Sequence, residues 1–274
     1  MASFLAYYYQ SFRWEILFLA ASTTTLLQIL SNLANDYGDS VHGADSDERE
    51  GPVRAVQSGI ITLQNMKKAM YVFAFLSLVS GILLLYAAVS TWMMFFAFAG
   101  LGLLAIVAAI GYTSGPNPYG YQGFGDISVF LFFGLTGVLG TYFLHTLDLQ
   151  LVVLWPALSL GLFSTAVLNI NNIRDIKSDH KAGKKSIPVR IGKRAAIYYN
   201  WALIFGGNAF LIVFVIQEKA WGGLMALLLV PFMVKVGKGV QNGNGSLEID
   251  PYLKKMAIST LLWVMAFGLG LILV

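Results

Sequence analysis

The sequence has no cysteine, which excludes both a disulfide framework and a thiolate metal site. It is also poor in charge. Asp, Glu, Lys and Arg make up 12% of the 274 residues, about half the roughly 25% usual for a soluble globular chain, so the bilayer rather than water is the expected solvent. Only three histidines are present. His42, His145 and His180 do not form a metal set: His42 and His180 fall in two acidic loops as accessory groups, and His145 reads as a membrane-interface residue. The first apolar run lacks a short basic leader and a small-residue cleavage site, so no cleavable signal peptide is expected. No nucleic-acid partner is expected either.

Long apolar runs are what the chain does have. It is 57% hydrophobic, with a mean hydropathy of +0.68. A spanning helix needs about 20 mainly apolar residues, and eight segments qualify: Phe12–Leu33, Ala69–Val89, Trp92–Gly111, Ile127–Leu147, Leu151–Ile170, Ala195–Ile216, Trp221–Val236 and Met256–Val274. Tight connections at Ser90-Thr91, around Asp148 and at Gln217–Ala220 lie on one side of the membrane. Longer polar loops, 34–68, 112–126, 171–194 and 237–255, lie on the other. The long-loop side carries sixteen of the 18 Lys and Arg residues; only Arg13 and Lys219 are on the short-loop side. By the positive-inside rule the long loops face the cytoplasm. A multi-pass protein of the cell inner membrane is expected.

The chain contains an internal repeat. Each half runs from an apolar helix through an Asn-rich helix end and spaced aspartates to Asp-x-x-x-Gly and then Pro-Val-Arg. The copies are Asp39, Gly43, Pro52-Val53-Arg54 and Asp179, Gly183, Pro188-Val189-Arg190. Polar elements at matching positions of two halves suggest one site between the halves.

The first acidic motif, residues 32–45, reads Asn32-Leu-Ala-Asn35-Asp36-Tyr-Gly-Asp39 and continues to Asp45. Asn32, Asn35, Asp36 and Asp39 stand at i, i+3, i+4 and i+7, which is one helical face. The second, residues 171–183, reads Asn171-Asn172-Ile-Arg174-Asp175-Ile-Lys-Ser-Asp179. Asn171 and Asp175 are one turn apart, as are Asp175 and Asp179. Carboxylates so crowded repel one another unless a cation neutralises them. Oxygen donors without His or Cys suit a hard ion, Mg²⁺ or Mn²⁺, which is usually held by a few carboxylates together with substrate phosphates. Basic residues are interleaved: Arg174, Lys177, Lys181, Lys184, Lys185 and Arg190 around the second motif, Arg49 and Arg54 after the first. Acid for a metal and base for phosphate oxygens make a diphosphate site. The plain alternative for the lysines is a solvated cytoplasmic loop.

The loop Tyr112–Asp126 is uncharged before Asp126 and rich in aromatics. It reads either as a lid over an apolar, aromatic substrate or as an interfacial aromatic belt. Gly123-Phe-Gly125-Asp126 also matches the Gly-x-Gly-Asp of intramembrane aspartyl proteases, but the partner Tyr-Asp and Pro-Ala-Leu signatures are absent, and Asp126 suits the cap of the next helix. A transporter would place its polar residues in mid-span; here they lie at helix ends.

With Asn32-x-x-x-Asp36-x-x-Asp39 and Asp175-x-x-x-Asp179 in order, the chain resembles the UbiA superfamily of intramembrane prenyltransferases over essentially its whole length. Gly51-Pro-Val-Arg54, Pro118–Ser128 and Leu168–Asp175 resemble the menaquinone branch, the 1,4-dihydroxy-2-naphthoate polyprenyltransferases. The family has nine helices; this chain resembles it from the second onward. The resemblance implies a single all-α membrane domain over residues 1–274, a bundle of about eight transmembrane helices built from two similar halves around a central cavity. It implies Mg²⁺, two ions, held by Asp36, Asp39, Asp175 and Asp179, with Asp45 a further candidate. Asn32, Asn35, Arg54, Asn171, Asn172, Arg174, Lys177, Lys184, Lys185 and Arg190 would contact the diphosphate, and Tyr112 and Tyr119 the aromatic acceptor. The expected reaction transfers a polyprenyl group from its diphosphate to 1,4-dihydroxy-2-naphthoate with decarboxylation. Acceptors elsewhere in the superfamily include 4-hydroxybenzoate and homogentisate.

Overall fold

The computed structural model describes residues 1–43, 56 and 58–273. Asp45, Arg49 and the Pro52–Arg54 copy of the repeat lie outside the described residues. Among the described residues all regular structure is helical. Eight helices are long and apolar enough to cross a membrane, as the hydrophobic runs predict: α2 (Trp14–Val41), α3 (Leu63–Ala88), α4 (Trp92–Gly111), α5 (Gly125–Thr146), α6 (Leu151–Arg174), α9 (Lys193–Glu218), α10 (Trp221–Asn242) and α11 (Ser246–Leu273). Three short helices complete the set: α1 (Ala2–Tyr8), α7 (Ile176–Lys181) and α8 (Ile187–Ile191). They group into two compact units.

One unit comprises residues 1–12, 126–176 and 187–274. Its core is aromatic. Phe163 meets the Trp263 ring edge-on at 4.9 Å, and Phe267 lies parallel to Trp263. The Trp263 indole donates to Asn208 Oδ1 at 3.1 Å, and Asn208 in turn donates to the Ile204 carbonyl, so this buried polar pair is satisfied. Helices α5 and α6 touch backbone to backbone at Gly134 and Gly161, where a Cβ on either residue would strike the other helix. Small residues permit such approaches where lipid offers no hydrophobic drive for association. Two helices depart from plain α geometry: Phe130–Gly140 within α5 is a π-helix, and α10 opens as a 3₁₀ helix over Trp221–Leu229. Residues 1–12 pack as α1 and a turn. Ser3 Oγ lies 3.0 Å from His145 Nε2, and Phe12 stacks on the same ring at 5.6 Å. His145 is therefore buried inside the protein, packed by residues 1–12. Tyr9 donates to Glu218 Oε2 at 2.7 Å; burial first, and then the Glu218 carboxylate, push its phenol above the usual tyrosine range.

The other unit comprises residues 13–125 and 177–186. Helices α3 and α4 start at Thr62 and Thr91, whose hydroxyls accept from the backbone N–H three residues on. Arg13 closes the far end of α3, donating to the Ala87 carbonyl at 2.6 Å. Thr23 and Ser80 share a hydrogen bond of 2.8 Å between α2 and α3. Helix α4 is apolar on every side and has no buried residue. Such a surface is stable only against lipid.

Candidate functional site

Helix α2 does not stop where its apolar run ends at Leu33 but continues to Val41, carrying the whole of Asn32 to Asp39 in helical form. The four polar residues share a face, and their burial rises along it: Asn32 is exposed and bonded to Gln28, Asn35 and Asp36 are half-buried, and Asp39 is 2% exposed. Gly43 ends the helix in the left-handed region, φ 75°.

The second motif has the same ending. Four residues after Asp179, Gly183 stands at φ 72°. The next N–H, that of Lys184, returns to the Asp179 carbonyl at 2.8 Å, and Gly183 N–H reaches the His180 carbonyl. This is a Schellman closure. It turns the chain so that the Lys184 side chain comes back over Asp179. The Asp-x-x-x-Gly repeat is thus one local device used twice, a helix end carrying a carboxylate with a glycine turn behind it.

These pieces converge within the unit that holds both. The Lys184 ammonium lies 3.6 Å from Asp179 Oδ1 and 3.9 Å from Asp39 Oδ1. Lys184 is 5% exposed and Asp179 4%. Ser186 Oγ donates to Asp179 Oδ2 at 3.1 Å. Tyr121 donates to Asp39 Oδ1 at 2.8 Å, its ring lies 5.4 Å from the Lys184 ammonium, and its carbonyl accepts the Lys185 N–H at 2.8 Å. His42 packs against the same ring at 5.2 Å. Tyr121 and Ser186 are site residues that the sequence does not single out. The only sequence signal for Tyr121 is its place in the aromatic loop; Ser186 has none.

The loop is seated by a glycine. Thr113 Oγ1 donates to the Ala34 carbonyl at 2.7 Å, and a Cβ on Gly38 would collide with the Thr113 carbonyl. Without a side chain at Gly38 the loop can lie directly on α2, which brings Tyr121 to Asp39. Tyr119 turns away, donating to the Ala108 carbonyl at the end of α4, with Tyr112 edge-on at 5.5 Å.

The other unit holds the first part of the second motif, residues 171–176, where the helix is not continuous. Helix α6 ends at Arg174, Asp175 is its cap, and the chain restarts at Ile176. The one-turn spacing of Asp175 and Asp179 is therefore not carried by one continuous helix. At this end Ser246 Oγ of α11 donates to the Arg174 carbonyl at 2.7 Å, satisfying it outside the helix. The Arg174 side chain is equally committed. It grips Asp175 with two bonds of 2.8 and 2.6 Å and also donates to Asn171 and to Asp250, both within 2.8 Å. Arg174 thus orients Asp175. Asn172 is buried with its Oδ1 unpartnered among the described residues. Lys177, Lys185 and Arg190 are exposed. Asp126 is buried and accepts from Tyr199 at 3.0 Å, a Tyr–Asp pair rather than the two aspartates of a protease.

The Asp39–Asp179 cluster fits a hard divalent cation. Its side-chain acceptors are all oxygen, with two buried carboxylates near one ammonium. One turn before Asp39, the Oδ1 of Asn35 is buried without a hydrogen-bond partner among the described residues. Among the described residues no three His, Cys, Asp or Glu side chains group as a metal site; where Mg²⁺ is bound by few carboxylates, substrate phosphates commonly complete its shell.

The sequence model of the UbiA prenyltransferase family matches residues 1–261. The 1,4-dihydroxy-2-naphthoate octaprenyltransferase of Haemophilus influenzae is 42% identical over 265 residues, spanning 96% of this chain and 86% of that protein. The Escherichia coli protein of the same name is 42% identical over 271 residues, 98% of this chain and 88% of that one. A solved UbiA homolog from Archaeoglobus fulgidus, bound to DMAPP and Mg2+, has the same fold: TM-score 0.56 at 15% identity, covering 93% of this chain and 88% of that chain.

Proposed function

Because the chain belongs to the UbiA prenyltransferase family, we propose that it transfers a polyprenyl group from a polyprenyl diphosphate to 1,4-dihydroxy-2-naphthoate, releasing CO₂ and diphosphate and giving a demethylmenaquinone. The observation that carries this reading is 42% identity to naphthoate octaprenyltransferases over nearly the full length of both chains. The aromatic loop tied to Asp39 supports it.

Asp36, Asp39, Asp175 and Asp179 would hold two Mg²⁺ ions, with Asp45 a further ligand and Asn32, Asn35 and Asn172 orienting the shell. Bound there, Mg²⁺ would supply electrostatic stabilisation of the departing diphosphate. Tyr121 and Ser186 position the two carboxylates through their hydroxyls. Arg174 and Asn171 set the rotamer of Asp175. Lys177, Lys184, Lys185, Arg190 and Arg54 would take up charge that develops on the phosphate oxygens. The apolar helices exclude water while the allylic C–O bond breaks, so the cation survives until the ring attacks it. Tyr112 and Tyr119 would flank the acceptor. The acidic motifs would face the cytoplasm of an inner membrane, where soluble diphosphate can leave, in keeping with the basic long loops.

The test is mass spectrometry of products from membranes given Mg²⁺, prenyl diphosphates of several lengths and a panel of naphthoate, 4-hydroxybenzoate and homogentisate acceptors. A demethylmenaquinone formed only with the naphthoate is expected. Turnover of another acceptor alone would overturn the assignment.

A further inference from the structure

We propose that the groove between the start of α9 and the end of α10 binds one anionic phospholipid. Arg194, Lys193 and Gln241 hold its head group, and one acyl chain lies along Tyr198, Trp201 and Phe205.

Lys193, Arg194, Ile197 and Tyr198 of α9 and Gln241 of α10 line a cavity of about 350 Å³. Two of the five are cations and none is an acid. Arg194 is exposed and carries a planar fork of N–H donors. The Lys193 ammonium donates to the Gly243 carbonyl at 2.6 Å, which ties it to the end of α10 and leaves its other N–H groups for an anion. Gln241 accepts from the Trp201 indole through Oε1 at 3.2 Å, so what it offers a ligand is its amide N–H donors. A guanidinium, an ammonium and an amide together suit the oxygens of a phosphodiester.

Further along α9 the same face turns aromatic. Arg194, Tyr198, Trp201 and Phe205 stand at i, i+4, i+7 and i+11, one stripe of the helix. Tyr198 is 62% exposed and Phe205 53%. The Trp201 and Phe205 rings stack at 5.6 Å. Trp201 is seated against α10 at Gly237, where a Cβ would strike its ring. From residue 194 to residue 205 the helix rises about 16 Å. That is about half of the roughly 30 Å hydrocarbon core, the depth of one leaflet. A soluble phosphate has no use for such a stripe; a phospholipid matches both the charge at its head and its length. Basic pockets between spanning helices take anionic head groups, and Trp and Tyr favour the head-group level. With no carboxylate in its lining to hold Mg²⁺, the groove suits a phosphodiester rather than a metal-borne diphosphate.

The experiment titrates the full chain, purified in detergent, with phosphatidylglycerol or phosphatidylcholine of the same acyl chains and reads the bound lipid by native mass spectrometry. The wild type should hold phosphatidylglycerol about ten-fold more tightly than phosphatidylcholine. Arg194→Gln should weaken phosphatidylglycerol about five-fold, the effect of one cation at an anionic surface, and leave phosphatidylcholine unchanged. Phe205→Ala should weaken both lipids alike. Lys68→Gln, which removes an exposed lysine from the start of α3, should change neither. No effect of Arg194→Gln, or an equal loss from Lys68→Gln, would overturn the site. Displacement of phosphatidylglycerol by millimolar inorganic phosphate would reassign the groove to a soluble anion, and displacement by geranylgeranyl diphosphate without Mg²⁺ would reassign it to a prenyl substrate; either result refutes the phospholipid. A second measurement needs no variant. One equivalent of phosphatidylglycerol with a photoreactive diazirine in its acyl chain should crosslink to Tyr198, Trp201 or Phe205, and the matching phosphatidylcholine probe should not be enriched there. Crosslinks absent from that stripe, or equal for the two probes, would sink the proposal.

Discussion

The hydroxyl of Tyr121 donates to Asp39 Oδ1 at 2.8 Å while the Tyr121 carbonyl accepts the N–H of Lys185, also at 2.8 Å. One residue of an uncharged loop is thereby bonded to the first acidic motif and to the chain two residues past the second. Tyr121→Phe keeps the ring and the main-chain bond but removes the bond to the carboxylate. A hydrogen bond to a charged group is worth about 1.5–3 kcal/mol. Turnover should fall ten-fold or more, and the Mg²⁺ concentration for half-maximal activity should rise. A steady-state metal titration in membranes checks both.

Gly38→Ala should act through the same contact from the other side. The new methyl would meet the Thr113 carbonyl backbone, which has little room to yield. Overpacking of this kind costs about 1–3 kcal/mol, and here it displaces the loop that carries Tyr121. Reduced activity and a lowered midpoint of thermal unfolding in detergent are expected. Gly81→Ala, whose added methyl meets only a Thr23 methyl at 3.9 Å, should behave as wild type.

Asp36→Ala and Asp175→Ala should each abolish turnover while the protein still inserts into the membrane and is recovered folded in detergent. Product analysis at saturating Mg²⁺ and a gel-filtration profile form the check. Near-normal product from either variant would remove that residue from the metal set.

Arg174→Gln should be more damaging than Asp250→Asn. Arg174 is buried and neutralises Asp175, and removing one partner of a buried ion pair costs about 3–5 kcal/mol. Asp250 is 32% exposed at the side chain and can be solvated when its charge is lost. Thermal unfolding of the two variants side by side should show the larger decrease for Arg174→Gln.

The Tyr9–Glu218 bond predicts an alkaline limit. The folded state raises the phenol above its unfolded value of about 10, so its stabilising contribution is complete below that value and is lost as pH rises toward the folded one. Unfolding followed between pH 8 and 11 should show stability falling above about pH 10, and Tyr9→Phe should flatten the decline.

The sequence makes the membrane scaffold legible because each span is an uninterrupted apolar run and the basic residues gather on one side. The repeated Asp-x-x-x-Gly is legible too, and its meaning is local: a glycine in left-handed conformation behind a carboxylate. The break at Asp175 is not, and the partners that Arg174 takes there, Ser246 and Asp250, lie more than seventy residues away. The π-helical stretch of α5 and the 3₁₀ opening of α10 have the composition of any spanning helix. Lys184 reads as one more lysine in a basic run; only the turn at Gly183 separates its buried position from its exposed neighbours. Tyr121 is hidden among the other tyrosines of its loop, because which of them meets Asp39 depends on the contact between Gly38 and Thr113.

The anchoring of Asp39 by a neutral hydroxyl has a consequence for behaviour in salt. Ionic strength weakens charge–charge attraction between exposed groups over roughly 10 Å at 0.1 M, and much less between buried ones. The Tyr121 bond is buried and its donor carries no charge. The framework that aligns Asp39 should therefore persist in concentrated salt that strips anions from the exposed Lys177, Lys185 and Arg190. High salt would then impair the capture of diphosphate while leaving the place prepared for it intact.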